Sequence, residues 1–229
     1  LLDKNKDRVM QVANEIRQIG LKGEVLNYGI NITNELYVQA IKKDLSSKKI
    51  SVSVLINNAA INPKYEVLVD RKNSSRVEDF DLLDWDSQLD VGLKGAFICS
   101  KIFGSEMAKQ GKGVIINIAS DLSIIAPDQR IYKSDNSAEI QNVKPITYSV
   151  IKSGLIGMTK YLATYWSESN VRVNALSPGS VYENQNSEFV DRLTKLIPLG
   201  RMASADEYKS AIQFLCSDAS SYMTGQNLV

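Results

Sequence analysis

Val114-Ile115-Ile116-Asn117-Ile118-Ala119-Ser120 is a short β-branched run that closes on small residues, the pattern of a strand buried on both faces. Val171-Arg172-Val173-Asn174-Ala175-Leu176-Ser177-Pro178-Gly179 repeats it. Between them, Tyr148-Ser149-Val150-Ile151-Lys152 opens a segment whose apolar face continues at helical spacing through Met158, Leu162 and Trp166. A helix joining two such strands is a crossover, so the strands run parallel. Open sheets of this kind bind ligands outside the carboxyl ends of their strands, where Ser120 and Pro178-Gly179 fall.

On a helix, Tyr148 and Lys152 share a face one turn apart. Alone, a phenol titrates near about 10 and an ammonium near about 10.4, so neither exchanges protons readily at neutral pH. A cation beside the phenol favours the phenolate and is expected to lower its pKa toward the working range of a general acid or base. The chain contains no histidine, which excludes Ser-His-Asp and Cys-His catalysis and histidine-ligated zinc.

Other segments extend the alternation of strand and helix. Val52-Ser53-Val54-Leu55-Ile56 reads as a strand followed by Asn57-Asn58-Ala59-Ala60, and Glu24 to Tyr28 reads as another. Helical stripes run through Val9, Val12, Ala13, Ile16 and Ile19 up to Gly20, and through Leu36, Ala40, Ile41 and Leu45. A longer one joins Trp85, Leu89, Leu93, Ala96, Phe97, Phe103 and Met107. Ser204-x-x-Glu207 is a capping box for a late helix through Leu215. The expected fold class is α/β, a doubly wound parallel sheet in one domain over 1–229.

The Asn-Asn-Ala-Ala turn, the strand-end serine, the Tyr-x-x-x-Lys pair and the Pro-Gly turn stand in the order found in the short-chain dehydrogenase/reductase family, which this chain resembles from Asp3 to Val229. The resemblance implies hydride transfer between a nicotinamide cofactor and an alcohol or carbonyl. Tyr148 would be the proton donor, Ser120 would hydrogen-bond the carbonyl, and Lys152 would bond the nicotinamide ribose and tune Tyr148. Asp3 would bind the adenosine ribose, Asn31 and Ile32 would flank the adenine, and Asn58 and Ala59 would approach the cofactor. Pro178, Gly179 and Val181 would complete its cradle. Each residue also has a structural reading: Ser120 and Asp3 as caps, Lys152 as a solvated cation, Asn31 and Asn58 as turn formers. A carboxylate at Asp3 would repel a 2′-phosphate, which favours NAD over NADP.

Asp3 lacks the glycine-rich turn that dinucleotide folds place before such an acid. The first strand, its phosphate loop and the first helix are therefore expected to lie outside the sequence, with the last strand, from Gln226, cut short. Gly92, in Asp90-Val91-Gly92-Leu93-Lys94-Gly95, stands where the family usually has the asparagine of a proton relay, and a helical glycine also suggests a local break. Ser180-Val181-Tyr182-Glu183-Asn184 replaces a threonine that often touches the cofactor.

The interval from Ser120 to Tyr148 is about twice the family's. It passes Pro127-Asp128-Gln129-Arg130-Ile131-Tyr132 and a polar stretch before Lys144-Pro145. It must border the substrate site, where Ser123, Arg130 and Tyr182 are candidate substrate contacts, Arg130 for a phosphate or carboxylate. This interval, with Tyr161 to Trp166 and Pro198 to Met202, is similar to a bacterial subgroup found with flagellin-modification and surface-polysaccharide genes, which would imply a sugar-derived substrate and a role in carbohydrate metabolism.

The net charge of +1 gives no sign of a nucleic-acid or membrane-surface partner. No apolar run reaches the roughly 20 residues of a membrane span. Cys99 and Cys216, each in an apolar helical context, fit a reducing cytoplasm better than a disulfide framework. The resemblance also implies a homotetramer or homodimer formed through the Trp85–Met107 and Tyr148–Trp166 helices, with Ile98 and Ile102 supplying the contact face. Two rival functions stay open: a sugar-nucleotide epimerase or dehydratase, and a non-catalytic binding protein of the same fold. No metal site is expected.

Overall fold

The computed structural model describes residues 1–20, 22–61, 75–133 and 143–229. Two blocks of parallel sheet form its frame. Strand β1 (Leu2–Asp3) pairs with β2 (Tyr28–Gly29). In the second block, β3 (Val54–Asn57), β4 (Gly113–Ile118), β5 (Val171–Leu176) and β6 (Asn227–Leu228) lie in the order β3-β4-β5-β6, every pair parallel. The registers Ile118 to Leu176 and Asn57 to Asn117 bring the carboxyl ends of β3, β4 and β5 to one edge.

Helices cover both faces of this second block, as a doubly wound sheet requires. On one face Ile115 and Val173 pack against Met107 of α5 (Ser105–Gln110), Leu162 and Ala163 of α6 (Ile146–Tyr165), and Trp166. On the other face Val114, Ile116 and Leu176 pack against Leu215 of α8 (Lys209–Cys216). The alternation of Val114, Ile115 and Ile116 between faces follows from the two-residue period of a strand. Each fully buried aliphatic side chain contributes about 1.5–3 kcal/mol.

The remaining helices are α1 (Lys6–Gln18), α2 (Glu35–Ser47), α3 (Leu82–Leu89), α4 (Ala96–Cys99) and α7 (Ser187–Thr194). Gly20, in the left-handed region, ends the α1 segment as its sequence position suggests. The box at Ser204 and Glu207 forms, opening a 3₁₀ turn that leads into α8. Cys99 and Cys216 are both free thiols.

Several expectations change. The strand expected from Glu24 shrinks to Tyr28–Gly29. Helix α2 buries Val38 and Ile41, while Leu36 is 72% exposed. Between α3, α4 and α5 the chain widens into π-helical segments at Asp90–Gly95 and Ser100–Gly104. Each wide turn rotates everything after it, so a single 3.6-residue stripe cannot describe this stretch. Phe97 consequently points outward, and Ile98 and Ile102 are buried with Val38, Ile41 and Phe103. They are core residues and cannot form a subunit contact. The break expected at Gly92 is the first of these π segments.

Candidate active site

A cavity of about 720 Å³ opens at the carboxyl ends of β4 and β5. Ser120, Tyr148 and Lys152 line it together, with Pro178, Gly179 and Val181 along one side. The three chemical residues come from different elements, so their meeting depends on the packing beneath them. Asn57 Nδ2 donates to Ser100 Oγ at 2.9 Å and to Asn117 Oδ1 at 2.8 Å; Asn117 Nδ2 donates to Thr159 Oγ1 at 2.8 Å. That chain ties β3, the second π segment, β4 and α6 into one register. Thr159 lies two helical turns beyond Lys152, on the same side of α6. At the start of α6, Thr147 Oγ1 donates to Gln88 Oε1 at 2.6 Å and fixes the turn that carries Tyr148. No buried side-chain nitrogen or oxygen among the described residues lacks a partner.

Lys152 is buried and its Nζ donates to the Ile118 carbonyl at 2.8 Å, which holds the ammonium beside the end of β4. Burial, and then the charge of Lys144, push its pKa down to about 8. Tyr148 does not follow the expectation for a phenol near a lysine. Burial raises its pKa, opposed by a hydrogen bond from the Ser120 hydroxyl, and the Asp121 carboxylate adds to the rise. The phenol is therefore held protonated at neutral pH, the state of a proton donor.

Ser120 takes the capping role and also lines the cavity. It caps the 3₁₀ turn Asp121–Ser123, accepting from Leu122 N at 3.2 Å, and its hydroxyl faces the cavity. Its one proton has two acceptors, the Tyr148 phenol and Asp121 Oδ1 at 2.7 Å. When the tyrosine is protonated, the chain can run from the Tyr148 hydroxyl through Ser120 to Asp121.

Gly92 has a packing reason. A Cβ built there would lie 2.6 Å from Ile151 Cγ2, so the Ile151 side chain occupies the space an asparagine would need. The relay position is filled by hydrocarbon.

The other site candidates divide. Asp3 ends β1 exposed, accepting from Asn5 N at 2.8 Å. Asn31 Oδ1 accepts from Thr33 N at 3.1 Å, the turn role, and Ile32 packs into the α2 core. Asn58 and Ala59 are exposed just past β3. Ser123 does not line the cavity; its hydroxyl donates to the Ser120 carbonyl. Tyr182 is half-exposed and also outside the cavity, its N–H donating to Ala203 O at 2.9 Å beside the Val181–Ala203 bridge. Arg130 is bound through Nε and Nη2 to Asp128, with 81% of its side chain exposed. Ser123, Arg130 and Tyr182 are therefore not among the described residues that line this cavity. The polar stretch 134–142 lies outside the described residues.

Three lining residues carry no signal in the sequence that marks them for the site. Asp121, Tyr132 and Lys144 all face the cavity. Tyr132 and Lys144 lie in the long interval, where no helical or strand period could place them.

Comparison with known proteins finds similar chains. The family model described as enoyl-(acyl carrier protein) reductase matches residues 1–229. The NAD-dependent glycerol dehydrogenase of Listeria innocua is 30% identical over 198 residues, 83% of this chain and 72% of the relative. The 3-oxoacyl-(acyl-carrier-protein) reductase FabG of Thermotoga maritima is 32% identical over 211 residues, 90% of this chain and 76% of the relative. Among solved structures, a gluconate 5-dehydrogenase from Burkholderia cenocepacia in complex with NADP and tartrate shares the fold with a TM-score of 0.81 at 24% identity, covering 100% of this chain and 81% of that one.

Proposed function

The chain belongs to the short-chain dehydrogenase/reductase family of oxidoreductases, and from that premise we propose that it interconverts an alcohol and a carbonyl on a sugar-derived substrate, a class in keeping with the glycerol dehydrogenase among its relatives. The observation that carries this reading is the presence of Ser120, Tyr148 and Lys152 in one cavity at the carboxyl ends of β4 and β5. A bound nicotinamide cofactor supplies or accepts the hydride. The chain's own residues do the rest. In reduction, the Tyr148 hydroxyl gives its proton to the substrate oxygen, and the Ser120 hydroxyl positions that oxygen. Lys152 stabilises the negative charge that develops on the phenol.

The cavity suits such a cofactor: Pro178, Gly179 and Val181 line one side of it, and the buried Lys152 ammonium reaches its wall. Asn58 and Ala59, exposed past β3, and Asp3, Asn31 and Ile32, beyond β1 and β2, extend the same reading. The exposed Asp3 carboxylate favours NAD over NADP by repulsion of the 2′-phosphate. A fluorescence titration is expected to show NADH binding at least about tenfold tighter than NADPH, because the ribose hydroxyl of NADH can donate to the Asp3 carboxylate whereas the phosphate of NADPH is repelled by it. Failure to bind either dinucleotide would leave the alternative that Gly92 and Ile151 favour, a non-catalytic protein of the same fold.

We also read the protein as a homo-oligomer. The exposed apolar side chains on the two relevant helices are Phe97, Val150, Tyr161 and Tyr165, with the two tyrosines stacked at 5.9 Å. Sedimentation at micromolar concentration should give a dimer or tetramer, and a lone monomer would contradict this.

A further inference from the structure

Lys144 stands immediately before Pro145, the residue that caps α6, so it lies outside the helix and four-residue helical spacing says nothing about it. The fold nevertheless brings its Nζ to 3.8 Å from the centre of the Tyr148 ring. Lys152 reaches the same ring from its own side, at 5.6 Å. Two ammonium groups thus flank one phenol in one cavity.

Burying a cation is costly, and a like charge nearby adds to the cost. The aromatic face offsets part of it. Among the described residues, two carboxylates line the same cavity. Asp121 faces Lys144 electrostatically, while its Oδ1 accepts from the Ser120 hydroxyl and from Leu122 N at 2.8 Å. Glu183 lines the cavity as an exposed residue. Burial drives the Lys144 pKa down to about 8, so the group is still mainly charged at neutral pH.

In the same cavity, Tyr132 supplies a neutral donor. Its ring packs on Phe189 of α7 at 5.3 Å, and burial pushes its phenol up to about 12, which keeps the hydroxyl protonated. Arg130, the one arginine of this interval, is held by Asp128 at the surface.

We propose that Lys144 and Tyr132 form an anion subsite, so that the substrate carries a carboxylate or phosphate within a few bonds of its reacting carbon. This rests on the oxidoreductase reading. An anion bound there would meet Lys144 through a charge-assisted hydrogen bond and Tyr132 through a neutral one. Because Lys144 sits against the ring of the proton donor itself, the subsite also selects where along the substrate the reaction occurs.

The test compares neutral polyols with the matching aldonic acids and polyol phosphates of three to six carbons, using the complete protein. At least one anionic series is expected to exceed the neutral one in kcat/KM by roughly tenfold to a hundredfold. Whether the acids or the phosphates show the advantage identifies the group. Lys144→Met should lower the anion-to-neutral ratio by the same factor, Lys144→Arg should keep most of it, and Tyr132→Phe should reduce it less than Lys144→Met. Equal kcat/KM for neutral and anionic substrates, or a Lys144→Met loss that is the same for both, would overturn the subsite. NADH titration of the same variants separates the two levels: cofactor binding and turnover of neutral alcohols without anion preference defeats only the subsite, whereas absence of dinucleotide binding defeats the oxidoreductase reading beneath it.

Discussion

Replacing Tyr148 with phenylalanine is expected to lower kcat by roughly a hundredfold to ten-thousandfold, the span covered by a positioned general acid. The ring stays, so the packing stays. Phenylalanine keeps the aromatic face under Lys144 and the helix that holds Lys152 in the cavity wall, and it removes only the hydroxyl. That hydroxyl is used in the transition state, where the substrate oxygen must take a proton, so the loss belongs in kcat. The NADH dissociation constant should stay within about twofold, because Lys152 and the Pro178-Gly179 edge do not depend on the phenol. One further sign is specific to this site. The Ser120 proton, with the phenol gone, has Asp121 Oδ1 as its remaining acceptor, so the serine turns from the substrate oxygen. Stopped-flow single turnovers and equilibrium titration of one preparation check both halves. Parallel loss of cofactor binding and turnover would make Tyr148 a structural residue.

How much of this is legible in the sequence depends on period and proximity. Strands β4 and β5 are dense β-branched runs without a polar face, as burial on both faces demands, and the crossover helix between them follows from chain direction alone. Tyr148 and Lys152 are neighbours because a helix makes them so. The stretch from Leu82 to Gln110 resists because its π segments break the single period that a stripe assumes, which is why a stripe puts Ile98 and Ile102 at the surface and Phe97 in the core.

The site divides along the same line. Asp121 and Tyr132 reach the cavity from short 3₁₀ turns and Lys144 from chain just outside α6, and only tertiary packing brings Lys144 onto the ring of a residue four positions away. Arg130 fails for the opposite reason. Its charge is visible in the sequence, but so is the partner two residues before it: Asp128, held down to about 2 chiefly by that guanidinium, satisfies the arginine locally. The lowered pKa expected for Tyr148 follows from one neighbouring charge alone, whereas burial of the phenol raises it against the Ser120 hydrogen bond.

Lys152→Met should then reduce kcat for carbonyl reduction by about a hundredfold. With the ammonium 5.6 Å from the ring centre and an effective dielectric near 20, its attraction for a phenolate is roughly 3 kcal/mol, close to two decades in rate if the charge on Tyr148 is fully developed in the transition state. Methionine keeps the length of the buried stem, so the packing is altered least among neutral replacements. The pH dependence carries the sign. Below about 8 Lys152 is charged and its help is complete; as pH rises through that value the charge is lost and reduction slows. Lys144 titrates in the same range and repels Lys152, so the fall belongs to the pair, in a setting that also holds Asp121, Tyr132 and Tyr148. In Lys152→Met the repulsion is gone, Lys144 holds its proton to higher pH, and the alkaline limb of the residual activity should move upward. A limb that stays in place while kcat falls would mean that Lys152 acts through its hydrogen bond to Ile118 O, holding the end of β4, with its charge playing no part in the chemical step.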